Sequence, residues 1–378
     1  MNPESASDWR IGVLYSRSGV TSVTESEHFF GTTLAIEEIN ELGGVLGRRL
    51  DSITYDPMGN PDEYRRLATK MLLEDEVNVI FGCSRSSSRK AVLPIIERTN
   101  GLLWYCSTYE GFEYSQNVIY TGAVPNQNSN QLAAYLLRNN GSRFFLIGAD
   151  YLYPRESNRI MRDMVESHDG EILDEIYLSV DATTEELEQV VKSIANIKPD
   201  VVFSTLVGHG AREFYRLYRE HGIDPLKIPI ASLTMAEEEI RLIGAPLCEG
   251  HITSATYFGS LDNASNHRLI ELWRRRYGEK PTSMWSEMAY NQVHLFARAL
   301  ERSGSTDTQR LVQAAHKVSF ESPEGTLSID EETNHCALTP RIGVCQRDGQ
   351  FKIVWEGSSA VKADPYLATY GFDEFWLR

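Results

Sequence analysis

The strongest constraint on the fold is a rhythm: short apolar runs alternate with amphipathic stretches along the first two thirds of the chain. The spacing predicts strands at 10–15, 50–56, 77–82 and 101–106, with helices at 27–42, 61–75 and 87–99 between them. Such alternation requires parallel strands, because each strand must return to the same end of the sheet through a crossover helix. After the loop Pro125-Asn126-Gln127-Asn128 the rhythm restarts. Helices at 127–139, 155–168, 183–196, 209–221 and 235–243 alternate with strands at 143–148, 171–178, 200–205 and 228–232. The expected fold class is α/β with two doubly wound lobes, which 378 residues accommodate at roughly 150 per domain.

From about residue 250 the pattern changes. Helices at 264–277, 283–302 and 307–317 follow one another without new strands, which implies that the chain crosses back to complete the first lobe. The segment 326–356 alternates as antiparallel strands, with a hairpin turn at Asp348-Gly349 whose glycine accepts positive φ. The expected division is 1–124 plus 250–330 for the N-terminal lobe and 125–249 plus 331–378 for the C-terminal lobe, with a ligand cleft between them.

Charge and motifs remove several functions. Acidic side chains outnumber basic ones 53 to 37, a net charge of −16, and this field repels phosphate backbones and anionic lipid. No window approaches the 18 apolar residues of a membrane span. The polar start Met1-Asn2-Pro3-Glu4-Ser5-Ala6-Ser7-Asp8 has no basic and apolar signal pattern, so the expected compartment is the cytoplasm, or the periplasm if an export signal has been removed. Five cysteines (Cys83, Cys106, Cys248, Cys336, Cys345) show no metal-ligand spacing and fit a reducing compartment. Cys83 and Cys106 each end a predicted strand, and whether they pair is open. G-x-S-x-G, H-E-x-x-H, G-x-x-x-x-G-K-[ST] and a G-x-G-x-x-G after the first strand are all missing, so neither an enzyme nor a cofactor is expected.

In an open parallel sheet, ligands gather beyond the carboxyl ends of the strands. The candidates follow from that rule. After the third strand come Ser84, Arg85 and Ser86, opening a helix whose free N–H groups and hydroxyls suit a carbonyl or carboxylate oxygen. Ser86 fits a helix cap as well as a ligand contact. After the fourth strand come Tyr105, Ser107 and Thr108. Beyond 143–148, Tyr151 and Tyr153 lie two apart and share a face in extended backbone, each with an apolar wall and a polar tip. Thr205, Val207 and Gly208 follow the strand at 200–205, and Thr234 follows 228–232. Glu237, Glu238 and Glu239 behind Thr234 read as a solvated helix face. Hydroxyls and tyrosines without an evident general base suit binding better than turnover.

At these loops the sequence resembles the AmiC-type amide sensors, relatives of the type I periplasmic binding proteins. The text that carries the likeness includes Tyr109-Glu110-Gly111-Phe112-Glu113-Tyr114-Ser115, Pro125-Asn126-Gln127-Asn128-Ser129, Asp150-Tyr151-Leu152-Tyr153-Pro154-Arg155-Glu156-Ser157-Asn158 and Ile230-Ala231-Ser232-Leu233-Thr234. The resemblance implies two lobes joined by three crossovers, with Ser86, Tyr105, Ser107, Tyr151 and Tyr153 lining the cleft. It also implies a short-chain amide ligand and an RNA-binding antitermination partner held inactive without it, in the control of amide catabolism. Where that family has Tyr-Met-Ser after the cysteine, this chain has Ser84-Arg85-Ser86, which removes a ring and adds a charge that either points away or pairs with Glu110. The alternative is a solute-binding receptor of an ABC transporter for short amides, urea or branched amino acids. Association into a homo-oligomer stays open.

Overall fold

The computed structural model describes residues 7–368. The first lobe is built on five parallel strands: β1 (Trp9–Leu14), β2 (Leu50–Tyr55), β3 (Val79–Gly82), β4 (Leu102–Tyr105) and β5 (Val118–Tyr120). They lie in the order β2-β1-β3-β4-β5, with Gly12 of β1 opposite Ile53 on one side and Ile80 on the other. β3 and β4 are buried throughout, which is why they read as unbroken apolar runs rather than alternating ones. Helices α1 (Ser22–Glu41), α2 (Pro61–Leu73) and α3 (Ser86–Arg98) carry the crossovers.

The second lobe begins with α4 (Ser129–Asn139). Then follow β6 (Arg143–Ala149), α5 (Leu152–Glu166), β7 (Glu171–Leu178), α6 (Thr184–Ile197), β8 (Val201–Thr205) and α7 (Gly208–Glu220). After them come β9 (Ile230–Ser232), α8 (Glu237–Ile243), α9 (Ala245–Cys248) and β10 (Ile252–Ala255). The chain continues through α10 (Ala264–Tyr277), α11 (Met284–Ser303) and α12 (Thr308–Ala315) to a small antiparallel pair, β11 (Ser319–Ser322) with β12 (Gly325–Ser328). It ends in the hairpin β13 (Arg341–Cys345) and β14 (Phe351–Glu356). The second sheet has seven strands in the order β14-β13-β10-β9-β8-β6-β7.

The return to the first lobe comes later than residue 250. β10 pairs in parallel with β9 and antiparallel with β13, so it belongs to the second sheet. Only beyond it do α10 and α11 settle on α1. The α1–α11 contact is close because Gly31 has no side chain: a Cβ there would stand 2.0 Å from the carbonyl oxygen of Ser286. The chain therefore passes between the lobes after β5, after β10 and between β12 and β13. The Asp348-Gly349 turn does close the β13–β14 hairpin, with Gly349 at φ 85°.

Candidate functional site

The strand-end loops of both lobes converge on one cavity. Ser84, Arg85 and Ser86 reach it from the end of β3, Ser107 and Thr108 from β4, Tyr151 and Tyr153 from β6, Val207 and Gly208 from β8, and Thr234 from β9. Tyr105 and Thr205 stand outside it. The Tyr105 hydroxyl donates to the Ser84 carbonyl at 2.6 Å, and Thr205 donates to Asn158 Oδ1 at 2.9 Å, so both brace the loops rather than face the space. Tyr151 and Tyr153 do not share an extended backbone: Tyr151 precedes α5 and Tyr153 lies in its first turn. Both rings line the cavity all the same.

The lobes touch across this space. Thr24 of α1 donates to Glu239 Oε1 of α8 at 3.3 Å, and the Arg85 guanidinium stands 4.8 Å over the Tyr151 ring. Gly208 allows a close backbone approach. It has φ 59°, and a Cβ there would lie 2.7 Å from the Val20 carbonyl oxygen, so a side chain would push the lobes apart as well as strain the turn. The cavity they enclose measures about 70 Å³.

Some polar groups in the wall are already used. The Ser84 and Ser107 hydroxyls are 3.2 Å apart, and the Ser86 hydroxyl donates to Glu110 at 2.5 Å. Glu110 and Glu113 both pair with buried Arg89, which lies against the rings of Tyr105 and Tyr109. The cation beside Glu110 is therefore Arg89, and Arg85 is left to the cleft. Other groups have no partner. Arg85 Nε, Tyr153 Oη, Trp285 Nε1 and Glu239 Oε2 are buried without a hydrogen bond. Burial pushes the Tyr153 phenol up to about 12 and the Glu239 carboxyl up to about 7.

Several wall residues escaped the sequence reading. Thr21 and Thr24 follow β1, where the strand-end rule already applied, whereas Trp285 arrives from α11 with no local signal. The three glutamates are not a solvated face. Glu237 accepts from the Gly259 amide at 2.8 Å, Glu238 pairs with Arg241 at 2.7 Å, and Glu239 faces the cavity.

The site holds no reactive constellation. Burial pushes the Cys106 thiol up to about 12, and its neighbour is the Tyr15 hydroxyl at 3.5 Å rather than a base. All five cysteines are free and buried. Among the described residues no group of three or more His, Cys, Asp or Glu side chains is placed to hold a metal ion.

Two α/β lobes closing on a cavity at their strand ends agree with the family comparison: the periplasmic binding protein domain matches residues 9–371. The chain belongs to this family. Its members are binding proteins rather than enzymes, and among the described residues no helix is long and apolar enough to cross a membrane. A Leu/Ile/Val-binding protein homolog of Brucella melitensis is 23% identical over 305 residues, covering 78% of this chain and 77% of that protein. A stretch of 127 residues is 32% identical to limonene hydroxylase of Geobacillus stearothermophilus; it covers 33% of this chain and only 23% of that protein. Among solved structures, a solute-binding protein of an ABC transporter from Rhodopseudomonas palustris, in complex with 3,4-dihydroxybenzoic acid, superposes with a TM-score of 0.85. It is 21% identical, covering 94% of this chain and 98% of that one.

Proposed function

We propose that the protein is the solute-binding receptor of an ABC-type uptake system, working in the periplasm rather than in the cytoplasm expected from its N-terminal sequence. Its lobes close on a small organic molecule whose acyl oxygen faces Arg85 and the first-lobe hydroxyls. One observation carries this reading: a cavity walled by the strand ends of both lobes, in which Arg85 Nε and Tyr153 Oη are buried without partners. Such groups cost stability until a ligand satisfies them, so closure and binding are coupled. The relatives support it by their ligands, since a branched amino acid and a dihydroxybenzoic acid both present a carboxylate.

A second reading is a cytoplasmic amide sensor that controls an antitermination partner. The loop resemblance and five free buried thiols favour it, because thiols persist unpaired in reducing compartments. Fractionation of cells producing the native reading frame separates the two, placing a receptor in the periplasm and a sensor in the cytoplasm.

Calorimetry and thermal melting against short amides, urea, small and branched amino acids and benzoates test binding itself. A saturable ligand at 100 times its Kd adds about 2.7 kcal/mol of stability and raises the melting temperature. Gly208→Ala, which wedges the lobes apart at Val20, weakens that ligand at least tenfold. Indifference of the melting temperature to the whole panel overturns the receptor reading.

A further inference from the structure

We infer that Arg212 is the second lobe's ligand contact and that the ligand is a dicarboxylate, with one acid group at Arg85 and the other at Arg212. The inference rests on the receptor reading and narrows it. The two guanidiniums line the cavity from opposite lobes: Arg85 stands behind the β3 strand end, just before α3, and Arg212 lies one turn into α7. Among the described residues neither forms an ion pair. Arg85 lies over the Tyr151 ring with its Nε buried and unbonded. Glu25 feels its charge, but the bonds of that carboxylate go to the Ser16 amide, the Thr21 hydroxyl and Tyr64. Beside Arg212 in the chain, Glu213 is held by Arg216 at 2.5 Å and by the Thr184 hydroxyl at 3.1 Å.

Other unbonded groups of the wall also donate. Trp285 Nε1 is buried without a partner, and an indole N–H has no other role. Glu239 accepts from Thr24 through Oε1 at 3.3 Å. Burial, with Glu238 after it, pushes this carboxyl up to about 7, so the proton that it holds below that pH sits on the unbonded Oε2, which then donates. Unpaired cations and donor edges around one space call for charged oxygens, a set for each lobe. A neutral amide leaves a guanidinium of the closed cleft unpaired, and an amino acid brings a further cation in its ammonium. A dicarboxylate pairs both guanidiniums. Because each belongs to a different lobe, the two charge-assisted contacts form together only when the cleft closes.

Calorimetry on the full chain tests this with malonate, succinate and glutarate, which differ in the span between their acid groups, and with the monoamide of each, which keeps the shape and loses one charge. Benzoate, propionamide and leucine complete the set. The expected result is that at least one diacid binds, about tenfold or more tighter than its own monoamide and than benzoate, with propionamide and leucine weaker still. Arg212→Gln is expected to erase the preference for the diacid over its monoamide, and Arg212→Lys, which keeps the charge, to retain part of it. The melting temperature of each variant without ligand reports any folding defect, and the wild-type comparison of diacid with monoamide needs no variant. Equal affinity for diacid and monoamide, tighter binding of benzoate, propionamide or leucine than of any diacid, or a folded Arg212→Gln protein that keeps the preference overturns the inference and leaves the receptor standing. Silence from all these compounds, and from the wider panel, overturns both.

Discussion

The hydroxyls of Ser86 and Tyr153 both reach the cleft, yet their hydrogen bonds assign them different work. Ser86 donates to a buried carboxylate, Glu110, which also faces Arg89. Removing that hydroxyl leaves a charged acceptor short of a partner, so Ser86→Ala is expected to cost about 1.5–3 kcal/mol of folding stability, measured by urea denaturation. Tyr153 Oη has no partner. Tyr153→Phe is therefore expected to leave the free protein as stable or slightly more so, while weakening the ligand by roughly tenfold, about 1.4 kcal/mol. Loss of stability without loss of affinity would reverse the two assignments. The strand-end rule made these side chains legible in sequence, because hydroxyls and tyrosines cluster just after apolar runs. It did not reveal Glu239. Three consecutive glutamates look like a wet surface, but neighbouring helix residues point about 100° apart, so such a run cannot form one face. Only the packing of α8 against the opposite lobe decides which of them turns inward.

At the scale of elements, α1 and α11 are held at a separation that one missing side chain permits. A Cβ on Gly31 would meet the Ser286 carbonyl at 2.0 Å, and neither backbone can yield without moving a whole helix. Gly31→Ala is expected to cost about 1–3 kcal/mol, the ordinary cost of overpacking, read as a lower denaturation midpoint. An unchanged midpoint would mean that the helices slide freely. Nothing in the sequence announced this contact, because α1 and α11 are some 260 residues apart in the chain and each is buried on several sides. The hairpin β13–β14 was legible for the opposite reason: its register is set locally, by a turn that demands glycine. β10 shows the limit between these cases. Ile252–Ala255 is short, with two hydroxyl residues among its four, and whether it belongs to one sheet or the other depends on β9 and β13, partners contributed by distant segments.

For the molecule as a whole, closure brings like charges together. Glu27 of the first lobe lies beside Glu238 and Glu239 of the second, with Lys280, Arg241, Tyr277 and the Ser283 hydroxyl around it. Burial first, and Glu238 next, push the Glu27 carboxyl up to about 8 from its ordinary 4.5. An opened cleft returns it to water and to the ordinary value, so closing the lobes takes up a proton. The sign follows: a carboxyl whose pKa is raised in the closed form favours that form fully below pH 4.5, loses the advantage between 4.5 and about 8, and contributes none of it above. Ligand affinity is therefore expected to fall as pH rises through this window, by up to tenfold per unit where Glu27 is the titrating group. Glu27→Gln, which cannot ionise, is expected to flatten the profile, with affinity measured by calorimetry between pH 5.5 and 8.5 and closure followed by small-angle scattering. If the variant keeps the wild-type slope, the proton taken up on closure belongs to another carboxyl at the seam, and Glu239, pushed up to about 7, becomes the group to replace next.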